Sequence, residues 1–259
     1  MSATTAGPVP AAARSAHARP GLGRLTGVEL RKMVDTRAGL WLLIATAAVT
    51  LALVAIVCIA GDPVDHTFSR MLELAIFPVS LLLPIIGILL VSSEWNQRTA
   101  LITFALVPQR GRVLVAKLLA GILLSVAATV LCVAIAAVAT AVMAPDVPDT
   151  WSMSAGLLLQ VLVYVVTAMA MGVGFGALLL ASAPAIVLYF VLPLVWAALS
   201  SISALQTAGE WLDSTQSLAH LPNELLSATE WARAGTTLLL WMVFPLVAGW
   251  WRIRREEVR

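Results

Sequence analysis

The stretch Gly39–Ala60, GLWLLIATAAVTLALVAIVCIA, runs its whole length without one charged side chain. About 20 apolar helical residues, at a rise of 1.5 Å each, cross a hydrocarbon core of roughly 30 Å, so this segment is long enough to span a bilayer. Five more stretches of the same character follow: Leu74–Val91, Val113–Met143, Ala155–Ala181, Ala183–Ala204 and Ala234–Trp251. The whole chain is 60% hydrophobic and 12% charged, with a mean hydropathy of +0.94, far from the balance of a soluble domain. The expected fold class is all-α: a polytopic membrane protein with six transmembrane helices.

The cations fix the expected orientation, because short loops rich in Lys and Arg stay cytoplasmic during insertion. Arg14, Arg19, Arg24, Arg31, Lys32 and Arg37 precede the first span. Arg98, Arg110, Arg112 and Lys117 lie between the second and third spans, with Lys117 opening the third. Arg252, Arg254, Arg255 and Arg259 follow the sixth, so 14 of the 16 cations fall on one side. Arg70 and Arg233 fall on the other, among Asp62, Asp65, Glu73, Asp146, Asp149, Glu210, Asp213, Glu224 and Glu230. Both termini are therefore expected in the cytoplasm of a cell with this protein in its plasma membrane. The net charge of +2 points to no nucleic-acid partner; basic residues beside spans anchor against anionic head groups of the lipid.

Residues 1–24 are rich in Ala, Pro, Gly, Arg and Thr and are expected to form a disordered tail. The pattern is not that of a cleaved signal peptide, since a full-length span follows the basic region. Residues 25–37 are expected to form a short amphipathic helix lying in the interface plane, with Leu30, Met33 and Val34 on one face. Thr26 as N-cap, Glu29 three residues on and the pair Leu25 and Leu30 read as a capping box with its staple.

No span interior carries an ionisable group away from its ends, which argues against a proton- or sodium-coupled carrier. The interior polar groups are Ser125, Thr129, Thr140, Gln160, Tyr164, Thr167 and Tyr189. Most such hydroxyls bond back to their own helix, and Gln160, with Thr129 and Tyr164, is the candidate for a substrate path. Gly172, Gly174 and Gly176 lack the strand and the spacing of a dinucleotide fingerprint and read as a close helix contact. Of the span prolines, Pro78 and Pro84 make the second span the one expected to be irregular. Cys58 and Cys132 fall inside spans, and neither a disulfide nor a metal site is expected. His17, His66 and His220 have no helix-spaced second ligand and no adjacent nucleophile, so an intramembrane enzyme is disfavoured. No Gly-x-x-x-x-Gly-Lys-Ser/Thr loop occurs, and ATP would have to be bound by another polypeptide.

The internal block 92–112 is basic and amphipathic, with Leu101, Phe104 and Ala105 at helical spacing and Pro108 with Gly111 as a stop and turn. Such a loop can lie against lipid or dock a soluble partner. The order of features here is similar to that of the membrane subunits of bacterial type-2 ATP-binding-cassette exporters. It comprises the basic helix Val28 to Lys32 before the first span, Glu94 closing the second with Thr99 five residues on, then Leu101, Pro108, Arg110-Gly111-Arg112 and Lys117. The six-span layout, with almost no loop at Ala181 to Pro184, agrees.

That resemblance implies a permease that pairs with a second copy or a paralogue and joins two cytoplasmic ATPase subunits, which hold the ATP and Mg; this chain is expected to bind no cofactor. By position, Glu94, Trp95, Arg98, Thr99, Leu101 and Phe104 would form the coupling element, with Arg31 and Lys32 in the connecting helix. Many members carry glycine where this chain has Arg98. Members also fold the region between the fifth and sixth spans, here 200–232, back as short helices over the outer end, and Trp residues would anchor it. Residues 252–259 are read as a basic cytoplasmic tail. The implied activity is ATP-driven export of a hydrophobic or amphiphilic cargo such as a drug, antibiotic or lipid-like molecule, along a path from the first, second and fifth spans. Dimer contacts are expected around the first and fifth. The alternative is a membrane binding, sensor or immunity protein that transports nothing.

Overall fold

The computed structural model describes residues 21–62, 65–97, 99, 109–143 and 149–256. It is all-helical, with no strand among the described residues, and six of its helices are long and apolar enough to cross a membrane. In chain order they are preceded by α1 (Leu22–Asp35). The first five spans are α2 (Arg37–Ala60), α3 (Phe68–Asn96), α4 (Arg110–Met143), α5 (Ala155–Leu179) and α6 (Ser182–Ser200). Two short helices, α7 (Gln206–Leu212) and α8 (Ser214–Ala219), come before the sixth span. That span is α9 (Ala228–Leu238), a π-turn (Leu239–Val243) and α10 (Phe244–Arg255) in one run.

Burial ranks the helices. In their most apolar windows 67% of α3 and 72% of α5 are buried, against 17% of α2 and 6% of α6. The bundle is thus built on two central helices, with the others facing outward. Their contact depends on small residues. A methyl built on Gly172 of α5 would fall on the backbone of Pro84 in α3, and one on Gly176 would come within 2.8 Å of the Ile88 carbonyl oxygen. Glycine lets these two backbones meet directly, the packing that small residues allow between membrane helices.

The second span is not the irregular one. Helix α3 is continuous through Pro78 and Pro84, and neighbouring helices bond to it close by: Thr50 and Cys132, from α2 and α4, both donate to the Ala75 carbonyl at 3.4 Å. The break in pattern falls in the sixth span, where the Phe244 N–H bonds to the Leu239 carbonyl five residues back, just before Pro245. A π-turn next to a proline is one of the recognised ways to re-aim a helix.

Helix α1 starts earlier than its sequence pattern indicates. Thr26 is inside the helix, its hydroxyl donating to the Leu22 carbonyl at 3.0 Å, so it is not an N-cap. Buried residues on α1 are Thr26, Glu29 and Met33, and Val34 is exposed; the inward face is rotated from the expected one toward Glu29. Thr36 alone separates α1 from α2. Its N–H closes α1 on the Lys32 carbonyl and its hydroxyl caps α2 by accepting from the Gly39 N–H at 3.2 Å.

At the turn into the fifth span, on the same basic end, α5 ends at Leu180, which holds φ 54° and ψ 17° in the left-handed region. This is costly for a bulky side chain, and Leu180 buries its side chain in the core in return.

Candidate functional site

The basic ends of α1, α3 and α4 converge on four charged side chains. Lys117 Nζ donates to Glu29 Oε2 at 2.7 Å, to Glu94 Oε1 at 3.0 Å and to the Leu90 carbonyl at 2.8 Å. An ammonium has three protons, so all of its donor capacity is used. Lys32 Nζ donates to Glu29 Oε1 at 2.8 Å and to Glu94 Oε1 at 2.6 Å. The set holds two cations and two anions.

Local structure explains each placement. Glu29 and Lys32 are three residues apart on α1 and share a face. Glu94 sits in the last turn of α3, and Leu90 is one turn above it on the same face. Lys117 lies about two turns into α4, where it is 3% exposed, with Glu29 at 4% and Glu94 at 8%. Charges this deep are kept only when paired and hydrogen-bonded. Lys32 is the outer member: burial works against its charge, but the hydrogen bonds and attraction of Glu29 and Glu94 prevail and hold its pKa above the ordinary lysine value.

Around this core the same ends are fastened further. Asn96 Nδ2 donates to Ser182 Oγ at 2.7 Å; since the Ser92 hydroxyl donates to the Ile88 carbonyl, Ser182 must donate to Ser92 at 2.8 Å. This relay ties α3 to the start of α6. Arg252 Nη1 donates to the Leu178 carbonyl at 2.7 Å, and Arg110 Nη1 to the carbonyls of Ile253 and Glu256 at 2.8 and 2.7 Å. Beside the network opens a cavity of about 750 Å3, lined by Lys32, Arg37, Glu94, Asn96 and Ser182 and by the apolar Ile86 and Leu89.

Of the residues that the sequence singled out, the structure brings Glu94 and Lys32 together. Thr99 folds back on the end of α3, its N–H donating to the Glu94 carbonyl at 2.9 Å, and Trp95 packs on the core beside it. Arg31 stays on the exposed side of α1. Arg98, Leu101 and Phe104 lie outside the described residues. Glu29 and Lys117 complete the network, although the sequence pattern casts them in other roles, a capping partner and a flank. The available sign was Glu29 four residues before Met33, which places an acid on the buried face of an amphipathic helix.

The other end of the bundle carries the path candidates. Gln160 is buried, and its amide donates to the carbonyls of Leu221 and Glu224 at 3.2 and 2.8 Å and accepts from the Leu226 N–H at 3.2 Å. Its polar atoms therefore clamp the segment after α8 onto α5. Thr129 donates to the Ser125 carbonyl of its own helix at 2.9 Å. Tyr164 lines a cavity of about 300 Å3 with Ser80, Thr167, Tyr189 and Phe190 of the spans, closed by Ser214 and Leu218 of α8. Above it, α7 is held by Thr236 and Thr237 donating to the Trp211 carbonyl at 2.9 and 3.0 Å, and by Trp241 Nε1 donating to the Leu212 carbonyl at 2.7 Å.

Compared with known proteins, the chain matches no protein-family model and no curated protein. The architecture and the two fastened ends are thus the basis for any functional reading.

Proposed function

We propose that this chain is the permease subunit of an ATP-driven exporter of the type-2 ATP-binding-cassette class, moving a hydrophobic or amphiphilic cargo across a bacterial plasma membrane. The observation that carries this reading is the network of Glu29, Lys32, Glu94 and Lys117. It locks the amphipathic α1 to the ends of two membrane helices, so a push on α1 or on the turn after α3 is delivered directly to the central helix α3. A separate engine needs such a rigid contact to bias a membrane domain between two states, because a partner shifts an equilibrium only by what it binds differently in each state.

Three further features agree. Glu29, Lys32, Glu94 and Lys117, from separate parts of the motif series, meet at the basic end. Short helices fold over the opposite end, as the resemblance implies for the region before the sixth span. The two barest spans, α6 and α2, are those that the resemblance assigns to contact with a second permease copy.

The test is affinity purification of the tagged chain from its native membrane, followed by ATPase and proteoliposome efflux assays. A phosphate-loop ATPase is expected to co-purify, and hydrolysis to require it. Glu94→Gln, which keeps the shape and removes the charge, should leave the complex assembled and cut efflux at least tenfold. Hydrolysis by the chain alone, or elution without any ATPase, overturns the assignment; unchanged efflux from Glu94→Gln removes the coupling role.

A further inference from the structure

A second cavity at the basic end, of about 700 Å3, lies between the start of α4 and the end of α10. Arg110, Arg112 and Arg254 line it together with Trp250, Val115 and Leu22, and among the described residues no acid does. Arg254 stacks its guanidinium on the Trp250 ring at 4.6 Å from the centroid. That ring lies over Gly111, where a methyl would come within 2.8 Å of Nε1. The glycine leaves room for the indole, and the indole in turn orients Arg254. Arg110 is committed to the end of α10, whose Ile253 and Glu256 carbonyls it holds, and Arg112 reaches Gln109 Oε1 at 3.3 Å. Glu256, the nearest carboxylate in sequence, is turned to Arg252 at 3.6 Å.

We infer that this cavity binds the headgroup phosphate of an anionic phospholipid from the leaflet on the basic side. Among the described residues the charged side chains lining it are all cationic, and Arg254, exposed and stacked on Trp250, offers its charge to an anion. Its Trp250, exposed Val115 and Leu22 form an apolar flank that a free inorganic anion would leave bare and that a lipid's glycerol and upper acyl chain would cover. A basic pocket between membrane helices at the interface, next to tryptophans that mark headgroup depth, is the setting in which protein and acidic lipid meet. The site is separate from the charge network and stands whether or not an ATPase partner exists.

The experiment is native mass spectrometry of the full chain in detergent, titrated in parallel with phosphatidylglycerol and phosphatidylcholine. The wild type should retain phosphatidylglycerol selectively. One arginine near a surface contributes about fivefold to such binding, so Arg112→Gln with Arg254→Gln should weaken phosphatidylglycerol roughly 30-fold and leave phosphatidylcholine unchanged. Arg254→Gln alone, at an exposed position, should cost about fivefold and keeps the test open if the double variant fails to fold. Arg31→Gln with Arg37→Gln removes the same charge elsewhere on the basic side and should leave retention within about twofold. Equal retention of the two lipids, or equal losses in the two double variants, overturns the site in favour of diffuse attraction. Displacement of the lipid by millimolar inorganic phosphate overturns the lipid assignment in favour of a free anion.

Discussion

Lys117 donates three hydrogen bonds to groups on α1 and α3, and this makes it the residue whose loss the molecule should feel most. Lys117→Met removes one cation and leaves Glu29 and Glu94 buried with Lys32 alone, a change of the kind that costs about 3–5 kcal/mol. Adding Glu29→Gln restores neutrality. The double variant should therefore recover much of the thermal midpoint in detergent, with a coupling of about 1–3 kcal/mol between the two positions. Additive losses would show that the two side chains do not act as a pair. These residues also mark what a single sequence conveys. All four sit in one ordered series beside the spans, but the position of Glu94 and Lys32 in it marks only those two as coupling residues. Glu29 was read through its neighbour Thr26, since a local capping pattern and a partner 88 residues away look the same in one dimension.

At the scale of the elements, the meeting of α3 and α5 organises the rest. Gly172→Ala places a methyl against the backbone of Pro84, where no flexible side chain can yield, and should destabilise by about 1–3 kcal/mol through overpacking. A drop in thermal midpoint for Gly172→Ala beside a small effect for Gly23→Ala, an exposed glycine on α1 with open space around it, is the expected pattern. An unchanged midpoint in Gly172→Ala would mean that the two helices do not touch there. The glycine run was legible as a helix contact because the spacing of small residues reports directly on closeness. The π-turn was not, for the opposite reason. Proline marks where a helix loses a donor, but the residue alone does not say whether the helical pattern breaks: α3 stays continuous through two prolines, and the sixth span turns π just before one.

Across the whole molecule the two ends are fastened by separate sets of contacts, the buried charge network at the basic end and the Gln160 clamp at the other. Gln160→Ala removes three hydrogen bonds to the segment after α8 and should cost about 1–3 kcal/mol. Amide exchange should accelerate in residues 221–226 while α1 keeps its protection; faster exchange in α1 as well would show that the ends are not independent. The count and character of the spans were legible from hydropathy and charge alone, because the bilayer imposes length and composition on each segment separately. The clamp was not, since an amide in a span signals only that it needs partners, and Gln160 finds three of them in the segment after α8.

The wide separation in sequence within the charge network also sets the order in which its members are made. Glu29 is synthesised 88 residues ahead of Lys117, and Lys32 precedes Glu94 by 62. A nascent chain therefore carries α1 with its charges still hydrated until the start of α4 has been made and threaded. Only then can the four side chains leave water together, so α1 takes its seat after the start of α4 has been made and not before.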